Sequence, residues 1–140
     1  SAGAGNIIGD TFEEVAAILK AVGNENIGVC FDTAHAFASG YDLRTDEAVS
    51  RTFSEFDRAI GLNRLVLSHC NDSKIELGGR KDRHEHIGQG LIGLAGFYGL
   101  LSEKRLQSLN WILETPFDGQ GSDLKTLREI RSGIIGYDQN

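Results

Sequence analysis

The sequence predicts an α/β domain built on a parallel sheet, and two observations carry that expectation. Short runs that are apolar at nearly every position alternate with longer segments of helical periodicity, the pattern of strands covered on both faces and joined by helices. Each apolar run then ends on a side chain competent to bind a metal: Asp32, His69 and Glu114. Parallel α/β folds collect their chemistry at the C-terminal ends of their strands, in closed βα barrels and in open sheets alike.

The elements follow in order. Residues 11–22 form a helix: Thr11-x-x-Glu14 reads as a capping box, Phe12, Val15, Ile18 and Leu19 make one apolar stripe, and Gly23 stops it. Residues 27–31 are a short strand. A second helix starts after Thr45, with Val49, Phe53, Phe56 and Ile60 at helical spacing and Gly61 closing it. Residues 65–67 are the next strand. The polar, glycine-bearing segment 71–90 is too long for an ordinary connection, and loops of that length in compact domains are usually functional. A third helix covers 93–101, and Trp111, Ile112 and Leu113 form the third strand, stopped by Thr115-Pro116. Ser122 caps a last helix that turns Leu124, Leu127, Ile130 and Ile134 inward.

Composition narrows the function classes. With 140 residues, 40% hydrophobic and 24% charged, the chain has the make-up of one globular domain. No apolar run approaches the roughly 20 residues of a membrane helix, and residues 1–6 have neither the basic start nor the apolar stretch of a signal peptide. Cys30 and Cys70 are too few for a disulfide framework, are expected to pack in the interior, and point to a reducing, cytoplasmic location. The absence of Met marks a processed product or a piece of something longer. A net charge of −6 argues against broad nucleic-acid binding, yet three of the acids belong to the candidate site, where bound cations would invert the local field.

Six potential ligands, Asp32, His35, His69, Asp82, His84 and Glu114, fall at strand ends or just beyond them. Buried carboxylates and imidazoles are costly unless paired or coordinated. Mixed nitrogen and oxygen donors suit Zn²⁺ or a similar ion, and the lack of thiolates points away from a closed structural zinc. Each motif has a plainer explanation. Asp32 and His35 could form a simple turn, His69 could be an ordinary hydrogen-bonded residue, residues 81–86 could be a solvated charged loop, and Glu114 could merely cap the next segment of chain. These explanations would have to hold independently at successive strand ends, so the joint signal favours a metal site. Asp82 and His84 alternate on an extended stretch and share one face, which leaves Arg83 pointing elsewhere; His86 is a bystander.

Four ordered stretches carry a signature: residues 29–42 (VCFDTAHAFASGYD), 69–74 (HCNDSK), 82–90 (DRHEHIGQG) and 113–116 (LETP). Together they resemble the endonuclease IV family, zinc-dependent apurinic/apyrimidinic endonucleases of base excision repair, across nearly the whole chain. The resemblance implies a (β/α)₈ TIM barrel with three zinc ions at its strand ends. Residues 1–140 would be a single partial domain, the C-terminal part of that barrel, with about three of its parallel strands. In that mapping His35, Asp82 and His84 hold one zinc, while Asp32, His69 and Glu114 belong to a second. Family members have a further bridging Glu and two further His upstream of the stretch resembling Ser1-Ala2-Gly3, and these are not in this sequence.

The implied reaction is hydrolysis of the phosphodiester 5′ to an abasic site in double-stranded DNA, leaving a 3′-hydroxyl. Glu114 is the candidate catalytic residue, beside water activated by zinc. Arg44, Lys74, Arg80 and Arg83 are candidate phosphate contacts, and Tyr41 a candidate packing surface for DNA. The intact enzyme is expected to be a monomer without a membrane partner. These residues alone are expected to be inactive and prone to aggregate, because three strands cannot close a barrel. Two rivals remain. A divalent-metal sugar isomerase or epimerase on a related barrel has no evident use for the His35–Asp82–His84 set, and a non-catalytic metal-binding remnant is the alternative to an enzyme.

Overall fold

The computed structural model describes residues 1–134. Its centre is a three-stranded parallel sheet in the order β1 (Val29–Asp32), β2 (Leu65–Cys70), β5 (Trp111–Leu113), with a two-stranded antiparallel ladder of β3 (Asp72–Ser73) and β4 (His84–Glu85) beside it. The connecting helices are α1 (Phe12–Val22), α2 (Thr33–Ala38), α3 (Asp46–Ala59), α4 (Gly93–Ser102) and α5 (Gln120–Ser132).

Local chemistry explains most of the boundaries. Thr11 Oγ1 accepts the N–H of Glu14 at 3.1 Å, but the Glu14 carboxylate reaches past the cap to the N–H of Gly9 at 2.6 Å, so the capping box closes on the preceding turn. Gly23 ends α1 in the left-handed conformation at φ 67°. Thr45 caps α3 through the N–H of Ala48, and Val49, Phe53 and Phe56 are buried along its inner stripe.

Several expectations need correction. Ile27 is 39% exposed and outside the strand, which runs instead from Val29 through Asp32. Residues 33–38 are a short helix rather than a turn, because the Asp32 side chain caps it. The second strand continues to Cys70. Ser122 lies inside α5, which begins after Gly119 at φ 114° with no side-chain cap. Leu124 is accordingly exposed, while Leu127, Ile130 and Ile134 are buried. Ile18 of α1 also faces solvent.

Register explains how the sheet divides. Phe31 pairs with Ser68 and Ser68 with Trp111, while Asp32 pairs with His69 and His69 with Ile112. Partners in a parallel ladder point to the same face, so Phe31, Ser68, Cys70, Trp111 and Leu113 face the helices. There Phe12, Phe31, Phe53 and Phe56 form one aromatic cluster, continued by Phe37, Phe97 and Leu100. The other face carries Cys30, Asp32, Leu67, His69 and Ile112. The expected burial of both faces does not hold here: Ile112 is 47% exposed and Cys30 is exposed rather than packed, whereas Cys70 is fully buried.

Candidate metal centre

Asp32, His69 and Glu114 come together because the ladder aligns the first two and because Glu114 follows Ile112 by two positions on the same open face. His69 Nδ1 lies 3.0 Å from Glu114 Oε2 and 3.5 Å from Asp32 Oδ2. One donor atom from each of the three residues lies within 4.8 Å of the others.

A second group forms beside it. Asp32 Oδ1 accepts the His35 N–H at 3.0 Å, so one carboxylate ends β1, starts α2 and folds His35 back over the strand end. From the other side, the β3–β4 ladder pairs Ser73 with His84 and carries Asp82 to the rim. Asp82 then spans two imidazoles: Oδ2 is 3.1 Å from His35 Nε2, and Oδ1 is 3.1 Å from His84 Nε2. His84 Nδ1 lies 3.1 Å from the Glu114 carbonyl, which can only accept, so Nδ1 is the donor there and Nε2 is the ring atom turned toward Asp82. Asp32 is also within 4.8 Å reach of His35 and His84, placing it between the two groups.

The donor set fits a divalent ion of the zinc type. His35 Nε2 and His84 Nε2 are buried without a hydrogen-bond partner, because their approach to Asp82 has the distance of a hydrogen bond but not its angle. Such buried orphans are rare and need an explanation. Ligands bound to a tetrahedral ion at about 2.0 Å stand about 3.3 Å apart, close to the spacing around Asp82. Neither thiol belongs to either group among the described residues. Cys70 is buried on the helix side and burial pushes its thiol far up; partial burial, then the Asp32 and Glu114 charges, raise the Cys30 thiol.

Three supporting residues had no signal in the ligand pattern. Asn71 is fully buried and its Nδ2 donates to Asp32 Oδ2 at 3.2 Å and Glu114 Oε2 at 3.4 Å, while its Oδ1 accepts the Glu114 N–H at 2.8 Å. Thr33 Oγ1 accepts from Asn71 N at 2.8 Å and donates to Asn71 O at 2.6 Å, fixing that residue's backbone. Asp72, also buried, accepts the N–H groups of Ser73, Gly88, Gly90, Ile92 and Gly93, so segment 71–90 is a clasped loop rather than a slack one. Burial pushes the Asp72 carboxyl up, and the N–H groups of Ser73, Gly90, Ile92 and Gly93 offset this only in part. Asn71 directly follows β2 and Asp72 begins β3, and two polar residues in succession at the end of an apolar strand were the available clue.

The expected DNA-contact residues are arranged unevenly. Arg44 is bound to Asp42 through two nitrogens, which holds the Asp42 carboxyl below its usual range. Arg80 pairs with Asp10 at 3.1 Å. Tyr41 is stacked on Phe12 at 3.8 Å between ring centres, and its hydroxyl accepts the Phe12 N–H. Lys74 and Arg83 are exposed on the loop that carries the ligands, with Arg83 Nη1 donating to the Asp82 carbonyl. His86 turns away from the six ligands toward Asp123.

Comparison with known proteins gives concordant relatives. A family model described as xylose isomerase-like TIM barrel matches residues 2–133. The chain is 42% identical over 135 residues to the probable endonuclease 4 of Carboxydothermus hydrogenoformans, covering 96% of this chain and 48% of that protein. It is 47% identical over 133 residues to the Geobacter sulfurreducens protein of the same name, covering 94% and 45%. The crystal structure of endonuclease IV from Thermus thermophilus superposes with a TM-score of 0.83 at 35% identity, over 96% of this chain and 48% of that one. The chain thus spans about half the length of these relatives.

Proposed function

Because the chain belongs to the xylose isomerase-like TIM barrel family and is similar along most of its length to endonuclease IV proteins, we propose that it carries part of the metal site of a DNA-repair endonuclease. The substrate is double-stranded DNA with abasic sites, cut at the phosphodiester 5′ to the lesion to leave a 3′-hydroxyl. The observation that supports this most is the convergence of five side chains, Asp32, His35, His69, His84 and Glu114, in two groups on one rim, with Asp82 3.1 Å from both His35 and His84, whose Nε2 atoms are buried without a hydrogen-bond partner.

His35, Asp82 and His84 would hold one zinc, and Asp32, His69 and Glu114 would contribute to a second. Bound zinc would supply charge to neutralise the phosphate and acidify water at neutral pH. The chain's own residues set the frame. Asn71 orients the Asp32 and Glu114 carboxylates, and the Glu114 carbonyl accepts from His84 Nδ1. Glu114, with its side chain 42% exposed, is the group placed to take a proton from the attacking water. Lys74 and Arg83 flank the ligands and would meet the backbone phosphates, so binding should weaken steeply with salt. A sugar isomerase would leave the His35–Asp82–His84 group without a task.

The test is cleavage of a duplex with a single abasic site by the full-length protein, before and after chelation and with zinc restored. Loss and recovery of 5′ incision are expected. Undiminished cleavage by metal-free protein, or turnover of a sugar in place of DNA, would overturn the proposal.

A further inference from the structure

Asp123 lies in the first turn of α5 and is 3% exposed, yet it touches none of the six ligands. Its carboxylate gathers donors from two separate segments. Oδ2 accepts from Thr115 Oγ1 at 2.6 Å and lies 2.7 Å from His86 Nδ1, and Oδ1 accepts the Ile87 N–H at 2.9 Å. Thr115 adjoins Glu114, and His86 stands two residues after His84. The segments pack tightly enough that a Cβ on Gly119 would lie 2.6 Å from His86 Cε1.

A direct tie already joins these segments at the site, from His84 Nδ1 to the Glu114 carbonyl. A single hydrogen bond leaves the two backbones free to pivot about it. A second attachment a few residues away removes that freedom, and the Asp123 carboxylate provides it.

We infer that Asp123 is a positioning residue: by binding His86, Ile87 and Thr115 together it fixes His84 of one ligand group relative to Glu114 of the other. This inference rests on the metal-site reading above. Partners that orient ligands in this way typically change metal affinity by roughly 10- to 100-fold when replaced.

The experiment is cobalt(II) titration of the protein, followed by visible absorption, for the unsubstituted chain, Asp123→Asn, Thr115→Val and His86→Gln. Thermal unfolding of the metal-free forms is measured in parallel. Asp123→Asn is expected to weaken binding by roughly 10- to 100-fold and to shift the ligand-field bands. Thr115→Val, which keeps the fold's shape, is expected to weaken chiefly the Glu114 group and His86→Gln chiefly the His84 group. A pin that merely fastens α5 would lower melting temperatures and leave affinities and bands alike. Cobalt binding to the unsubstituted protein, with Asp123→Asn and Thr115→Val within about twofold of it, overturns this inference alone. No cobalt binding by the unsubstituted protein overturns both it and the metal-site reading.

Discussion

Asp32 shows how much one side chain does at this rim: it ends a strand, caps a helix and faces both ligand groups. Its second oxygen and that of Glu114 share one donor, Asn71 Nδ2. Asn71→Leu keeps the volume and removes the donor, so affinity in the Asp32–His69–Glu114 group should fall by roughly 10- to 100-fold in a zinc competition titration. The metal-free fold should lose about 1–3 kcal/mol in denaturant unfolding, because the Glu114 N–H loses its acceptor. Unchanged affinity would assign Asn71 to packing alone. Asp32, His69 and Glu114 were legible as candidates because each breaks an apolar run at its end, His35 because it follows Asp32 by three, and Asp82 and His84 because they alternate on an extended stretch. Asn71, Asp72 and Asp123 were not, since their partners are mostly backbone groups or residues far along the chain, which spacing does not reveal. Cys30 misled for a related reason: alternation places it on a face of the sheet, and only the topology says that this face is open.

The helices and strands were legible where pattern and capping agree, as in α1, α3 and β5. They were obscured where tertiary contacts decide, as at α2, which the Asp32 carboxylate caps, and at the start of α5. The segment that follows β4 depends on Asp72 accepting from closely placed glycines. A Cβ on Gly90 would lie 2.5 Å from both Asp72 Oδ1 and the Ser73 carbonyl. Gly90→Ala should therefore cost about 1–3 kcal/mol in thermal unfolding and weaken binding by the His35–Asp82–His84 group, whereas wild-type behaviour would show a loop that yields. Elsewhere Arg105 links Glu103 to Ser50 and Ser54 of α3. Hydrogen bonding to Arg105 holds the Glu103 carboxyl below its usual range. A depressed carboxyl stabilises the fold above the unfolded-chain value of about 4.3 and loses that contribution as pH falls. Glu103→Gln should cost at most about 1 kcal/mol at pH 7, with the difference vanishing in acid-unfolding curves at lower pH.

At the scale of the whole molecule, one face of the sheet is covered by helices and the other lies open, with Ile112 and Cys30 in view. A closed barrel covers that face with its remaining strands. An aromatic disulfide reagent should label Cys30 in the 140-residue chain and spare it in a chain extended to the length of the endonuclease IV relatives, while Cys70 should resist until unfolding in both. Equal protection of both thiols in the short chain would mean that its open face is covered in another way. The same openness should make the apparent mass of the 140-residue chain, read by light scattering, rise with concentration. The central claim, that the six side chains hold zinc between them, is tested most directly by X-ray absorption at the zinc edge on the loaded protein, compared with a His35→Ala, His84→Ala double variant. Coordination by nitrogen and oxygen alone, with loss of one zinc equivalent in the variant, is the expected result. Sulfur in the coordination sphere, or a zinc content unchanged by removing both imidazoles, would contradict it.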